Sequence, residues 1–427
     1  MFSFELVIEV REISLLLSPL FLIGVFKLKE FIMKKVRTGL DVLINNEGLQ
    51  KTFNGNVALL CHNASVDATC VHAAFRFKEL FGARFVKLFG PQHGFNTDAQ
   101  DNMIETDHYI HPYFNIPVYS LYSETLIPTD DMLKGIDYLF VDFQDVGCCM
   151  YTYIYTLTLL LEKCSDKDIQ VVVLDRPNPV NGIDTEGNIL DLKFESFIGR
   201  HPIPVRHGMT IGEVALMHQK FWTKKKTNLK IIKMQYWERN MYFEDTKLPW
   251  LLPSPNIPRI ETTFTFPSTV LFKGTNLSEG RGTTQSLEIM GHPKINSFSF
   301  YSNHLSNRVK QSKLKGVELR PITFTPTFDK KANEVCGGFQ VHVLDRTTFR
   351  PWRVGQFIIR ELYHYLGNDF EWKNPPFEYN YRQMPIDIIN GTDKLRHWVE
   401  NNDSMDMLDD FEHLKDYRLQ LNDIKIY

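Results

Sequence analysis

Four apolar runs in the first half of the chain each stop abruptly in a cluster of polar side chains. Asn56 to Cys61 runs into His62-Asn63-Ala64-Ser65, and Phe85 to Phe89 into Gly90-Pro91-Gln92-His93-Gly94. Asp137 to Val141 runs into Asp142-Phe143-Gln144-Asp145-Val146-Gly147, and Gln170 to Leu174 into Asp175-Arg176-Pro177-Asn178-Pro179. Short runs that are apolar throughout fit strands buried on both faces. Between them lie segments with helical spacing. Asp67 to Leu80 brings Val71, Phe75 and Leu80 together, Thr129-Asp130-Asp131-Met132 puts acids in a first turn, and Tyr151 to Lys163 is apolar on most sides. Ile116 to Ser120 adds a short extended piece. This alternation predicts an α/β fold, a Rossmann-like and mostly parallel sheet with helices on both faces. Ligands of such sheets sit beyond the carboxyl ends of the strands. Asn63, Gln92, His93, Asp142, Gln144, Asp145, Asp175, Arg176 and Asn178 are therefore expected to converge.

The pattern changes further on. Thr210-Ile211-Gly212-Glu213 is a capping box opening a helix that runs to about Trp222, and Leu229 to Trp237 returns as a strand. Prolines 249, 253, 255 and 258 stiffen Leu248 to Pro258 into an extended connector. A domain boundary there predicts residues 33–250 as the sheet domain and 251–427 as a smaller α+β domain closing a cleft. The second part holds the segment Thr262 to Val270, a Gly-rich stretch from Gly274 to Thr284 and a strand from Phe339 to Leu344. Helices follow over Val354 to Leu366 and Asp387 to Glu400.

Composition narrows the function. The chain has 427 residues, is 43% hydrophobic and 23% charged, and carries a net charge of −3, which gives no electrostatic case for nucleic acid. Its six cysteines show neither metal spacing nor a paired framework, which fits free thiols in a reducing compartment, cytoplasmic rather than secreted. Residues 1–32 read as an N-terminal extension. Ile13 to Phe26 is apolar but interrupted by Pro19 and short for a membrane span, which leaves room for weak membrane association only.

No strand leads into G-x-G-x-x-G, and Gly280-Arg281-Gly282-Thr283-Thr284 lacks the P-loop spacing, so neither a dinucleotide nor any other cofactor is expected. The turn is as consistent with plain structure as with an anion-binding nest, but Asn276, Ser278 and Glu279 beside it favour a ligand loop. His62, His93, His108, His111, His201 and His207 offer no shared-ion spacing, and no metal site is expected. Asp142 and Asp145 could supply acid and base to a glycosidic bond, or one could cap the following helix. Arg176 could fork onto a ligand carboxylate or lock its own loop. Arg206 and Arg281 are candidates to grip an anionic group.

These residues carry a resemblance. Leu88-Phe89-Gly90-Pro91-Gln92-His93-Gly94, Phe143-Gln144-Asp145-Val146-Gly147 with Tyr151-Thr152-Tyr153-Ile154, and Leu174-Asp175-Arg176-Pro177-Asn178-Pro179 resemble the NamZ-like exo-β-N-acetylmuramidases, a glycoside hydrolase family. Pro204 to Thr210, Pro253 to Pro258, Gly274 to Thr284 and Pro385 to Ile388 continue the likeness in order. The resemblance implies a Rossmann-like larger domain, a smaller second domain and a cleft between them. It also implies release of terminal N-acetylmuramic acid from peptidoglycan fragments, a substrate whose lactyl carboxylate suits the arginines. His93 and Tyr153 would position the sugar. Asn256, His207, Glu279 and Thr283 lie in the matching motifs as further binding candidates.

One position departs from the family's Gly-Pro-Glu-His-Gly. Gln92 cannot transfer a proton as a carboxyl does. Glu105 or Asp142 is then expected as the proton donor. The alternative is an amino-sugar-binding protein without catalysis.

Overall fold

β1 (Val57–Cys61) is buried along its whole length and pairs in parallel with β2 (Phe85–Gly90) on one side and with β5 (Tyr138–Asp142) on the other. β3 (Tyr109–Ile110) and β4 (Pro117–Ser120) extend the sheet past β2, while β6 (Gln170–Leu174) and β9 (Leu229–Ile232) extend it past β5. The order is β3-β4-β2-β1-β5-β6-β9, and only β3 runs antiparallel to its neighbour. The computed structural model describes residues 34–100 and 104–427, so the expectation for residues 1–32 lies outside them. Apolar clusters cover both faces of the sheet. One contains Leu59, Phe77 and Phe140; the other holds Phe89, Val141 and Leu157 and continues to Phe339, Trp352 and Trp398. That double burial is what the uninterrupted apolar runs required.

Two further sheets lie beyond. β7 (Glu186–Ile189) and β8 (Pro204–Arg206) form an antiparallel pair. β10 (Ile289–His292), β11 (Val317–Phe324) and β12 (Cys336–Val343) form an antiparallel sheet in the order β10-β12-β11. The fold is thus α/β with an antiparallel second part. Among the described residues no helix is long and apolar enough to cross a membrane.

Several boundaries moved for local reasons. The helix expected from Asp67 starts at Ala73, with His72 as its cap. The Asp67 carboxylate instead accepts from the Thr69 and Val71 N–H groups and pairs with Arg76, which holds the segment before the helix as a loop. Asp387 to Glu400 is two helices, Pro385–Asn390 and Lys394–Asn401, because Gly391 takes a left-handed conformation at φ +69°. Thr262 to Thr269 lies in the helix Ile260–Thr269, which Val270 caps. The strand expected over Leu229 to Trp237 ends at Ile232.

Candidate active site

β2 ends at Gly90, where a Cβ would meet the Phe95 backbone nitrogen at 2.5 Å, so only glycine lets the next turn fold back so tightly. His93 (φ +71°) and Gly94 (φ +80°) then both take left-handed conformations, and Gly94 N–H donates to the Pro91 carbonyl at 2.9 Å. The turn delivers Gln92 and His93 into a cleft that they share with Thr152, Asn256 and Arg281. Thr152, just before the helix Tyr153–Cys164, donates its hydroxyl to Gln92 Oε1 at 2.7 Å. His93 Nδ1 donates to the Ala99 carbonyl at 2.7 Å, since a carbonyl can only accept. Tyr151, Phe266 and Phe377 supply apolar wall.

The opposite side carries the charge. Arg281 stands between Gly280 and Gly282, both left-handed. A Cβ at Gly282 would sit 2.6 Å from the Phe328 nitrogen, which explains the Gly-Arg-Gly pattern. Arg281 Nε donates to Glu279 Oε1 at 3.0 Å, while its Nη1 is buried with no hydrogen-bond partner. The Glu279 carboxylate is also held by Lys330 at 2.7 Å. Burial pushes this carboxyl up, but Lys330, Arg281 and Lys273 outweigh it and hold it at about 2. Glu279 is therefore a fixed anion that anchors Arg281, not an acid. Asn256 joins the two sides by donating to the Gln100 carbonyl at 2.8 Å and accepting from Ser286 at 3.1 Å.

Sequence reasoning overlooked two residues here. Lys273 and Glu378 both line the cleft. Glu378 is 4% exposed, and neither carboxyl oxygen makes a sound hydrogen bond. Burial pushes its carboxyl above the usual range, against Lys273, the Tyr122 hydroxyl and Lys373. The available signal was an acid set between aromatics after two prolines, Pro375-Pro376-Phe377-Glu378-Tyr379.

The polar strand ends do gather, but largely with one another. Arg176 Nε and Nη2 grip both oxygens of the fully buried Asp142 at 2.5 and 2.8 Å, and Nη2 also donates to the Val66 carbonyl. Asp142 therefore does not line the cleft as the expected proton donor, because its lone pairs are spent on Arg176. The sheet's order reverses between β1 and β5, the point at which open α/β sheets form a crevice for ligands. Arg176 reaches across to the end of β5 and occupies that region from within.

Asp175 accepts from Gly212 N–H and the Thr210 and Tyr427 hydroxyls. Gln144 donates to the Asp145 and Pro177 carbonyls, and Asn178 to the Met209 carbonyl. Asp145 accepts from Gly147 N–H and lies 3.2 Å from His207. Arg206 is tied to the Val180 carbonyl and Asp184, so it does not join Arg281 at the cleft. The Asn63 N–H donates to Thr97, Tyr153 donates to the Pro253 carbonyl, and Thr283 closes its own turn onto the Gly280 carbonyl. Glu105 is exposed, facing the Tyr379 hydroxyl. Among the described residues no group of His, Cys, Asp and Glu could hold a metal ion.

Models for the N- and C-terminal parts of exo-β-N-acetylmuramidase NamZ match residues 57–261 and 264–427. The chain is 39% identical over 373 residues to peptidoglycan β-N-acetylmuramidase NamZ of Bacillus subtilis (strain 168), covering 87% of this chain and 86% of that protein. Two crystal structures of DUF1343 family proteins from Bacteroides fragilis are similar in fold. One has a TM-score of 0.80 at 27% identity and the other 0.70 at 25%, each covering 92% of this chain and 99% of its own. With both halves matched in order, the chain belongs to the exo-β-N-acetylmuramidase NamZ family.

Proposed function

We propose that the protein is a glycosidase that releases terminal N-acetylmuramic acid, or a related amino sugar, from peptidoglycan fragments. The observation that carries this reading is Arg281. Its guanidinium is positioned through Nε, yet Nη1 is buried in the cleft wall without a partner. A buried donor left unmatched costs about 1–3 kcal/mol, a cost that a ligand carboxylate such as the lactyl group removes. Lys273 adds positive charge to the same cleft. Gln92, with its oxygen engaged by Thr152, offers its amide N–H groups to a sugar oxygen, and the His93 ring lines the cleft beside it. Tyr151 and Phe377 supply apolar surface for a ring face or an acetamido methyl.

In this reading residues 33–250 and 251–427 are two domains that contribute opposite sides of the site. Glu105 sits outside the cleft proper, beside Tyr379. We place the protein in the cytoplasm, a reading supported by six cysteines that are all free.

The test compares nitrophenyl β-N-acetylmuramide with the matching β-N-acetylglucosaminide, which lacks only the lactyl ether. Turnover of the first and little or none of the second is expected. Failure to hydrolyse the muramide or a muramic-acid-terminated disaccharide across the neutral pH range rejects the reading.

A further inference from the structure

We propose that Glu378 is the proton donor of this cleft, the group that protonates the departing glycosidic oxygen; the assignment rests on the glycosidase reading above. Among the described residues that line the cleft, Glu378 is the one carboxylic acid. Its rivals are engaged elsewhere. Asp142 is gripped by Arg176, Glu279 is clamped between Arg281 and Lys330, and Glu105 is exposed. Gln92 has no transferable proton of suitable acidity.

The placement of Glu378 is costly in two independent ways. Both oxygens are buried, and beyond the Tyr122 hydroxyl set against the carboxyl neither meets hydrogen-bond geometry, although buried polar groups are almost always paired. Glu378 (φ +46°) and Tyr379 (φ +61°) are consecutive non-glycine residues in the left-handed region, where the Cβ crowds the following carbonyl oxygen. Reciprocal hydrogen bonds between Phe377 and Asn380, both at 2.9 Å, hold the strained turn closed. Asn380 also accepts from Arg382 and Gln383 N–H groups, and Gln383 donates to the Lys193 carbonyl. The turn is thus over-determined, which is how strain persists at sites that use it.

The chemistry follows from a carboxyl in the cleft wall whose burial strengthens its hold on a proton. The O–H bond of Glu378 breaks and its proton goes to the glycosidic oxygen. The C1–O bond breaks with its electron pair leaving on that oxygen, which departs as an alcohol. C1 takes up the oxygen of one water, and the proton that this water sheds returns to the Glu378 carboxylate. One water is consumed and the enzyme is regenerated. The substrate's own 2-acetamido oxygen is available to steady the charge at C1, so a second enzyme carboxylate is not required.

The experiment uses the full chain and two substrates that differ in their need for a proton. A disaccharide ending in N-acetylmuramic acid has a sugar alkoxide as its leaving group, which must be protonated. Nitrophenyl β-N-acetylmuramide releases a phenolate stable without protonation. Glu378→Gln is expected to lower kcat on the disaccharide by about 10²–10⁴-fold and on the nitrophenyl substrate far less, with KM for the latter little changed. Equal losses on both substrates, or a disaccharide rate near that of the parent, overturn the assignment. Should the Gln variant fail to fold, Glu378→Asp keeps the carboxyl and draws it back by one methylene. It is expected to show the same selective loss in smaller measure, and parental or equally reduced rates on both substrates overturn the proposal. If the parent protein hydrolyses neither substrate, the glycosidase reading fails first, so the two failures are distinguishable.

Discussion

Arg281 shows how one side chain is held ready by others. Lys330 fixes Glu279, Glu279 fixes Nε of Arg281, and the remaining edge of the guanidinium is left toward the cleft. Hydrogen bonds to charged groups contribute about 1.5–3 kcal/mol. Arg281→Met is therefore expected to lower kcat/KM on N-acetylmuramides by roughly 10- to 100-fold, with little effect on any residual turnover of N-acetylglucosaminides. Steady-state kinetics on the matched pair checks this, and equal losses on both would place the effect in folding. At this scale the sequence was partly legible. Arg281 was readable because its flanking glycines signal a turn with special backbone needs. Arg206 looked equivalent but is consumed by the Val180 carbonyl and Asp184. Asp142 and Arg176 were visible as polar strand ends. Whether such a pair faces a ligand or itself depends on the spacing of β5 and β6, which no local pattern encodes. Glu378 was missed because its neighbours form no regular element.

At the scale of elements, periodicity was reliable wherever both faces of a strand are buried. β1, β5 and β6 read clearly for that reason. β11 did not, because it is an edge strand with alternating exposure, and it carries Pro321, which only an edge tolerates easily. The capping box at Thr210 is present as read. Thr210 accepts from Glu213 N–H at 3.2 Å, and Glu213 returns the bond to Thr210 N–H at 3.1 Å. The Thr210 hydroxyl also donates to Asp175 at 2.9 Å, so the cap ties the helix Ile211–Met217 to the end of β6. Thr210→Ala is expected to cost about 1–2 kcal/mol of stability, read by urea denaturation, while Thr210→Ser restores most of it.

For the whole molecule, the buried Asp175 couples stability to pH. Burial pushes its carboxyl up to about 7, against donors from Gly212, Tyr427 and Thr210, and the Glu213 charge pushes in the same direction as burial. The ordinary Asp value is about 3.9. Below about pH 4 the group is protonated in folded and unfolded chains alike and its contribution is fully present. That contribution is lost as pH rises through about 7, because the unfolded chain releases the proton more readily. The melting temperature of the parent is expected to fall across that window, and Asp175→Asn to flatten the fall. An unchanged slope would locate the titration elsewhere.

The cleft draws Gln92, His93 and Thr152 from one stretch of chain and Lys273, Arg281 and Glu378 from another far along it. A sugar seated there is a removable strap between segments remote in sequence, and dissociation must precede any opening that parts them. Occupancy should then slow digestion by a nonspecific protease in proportion to saturation, even with a non-hydrolysable muramic acid derivative. The bound sugar would report on its own residence through the survival of the intact polypeptide.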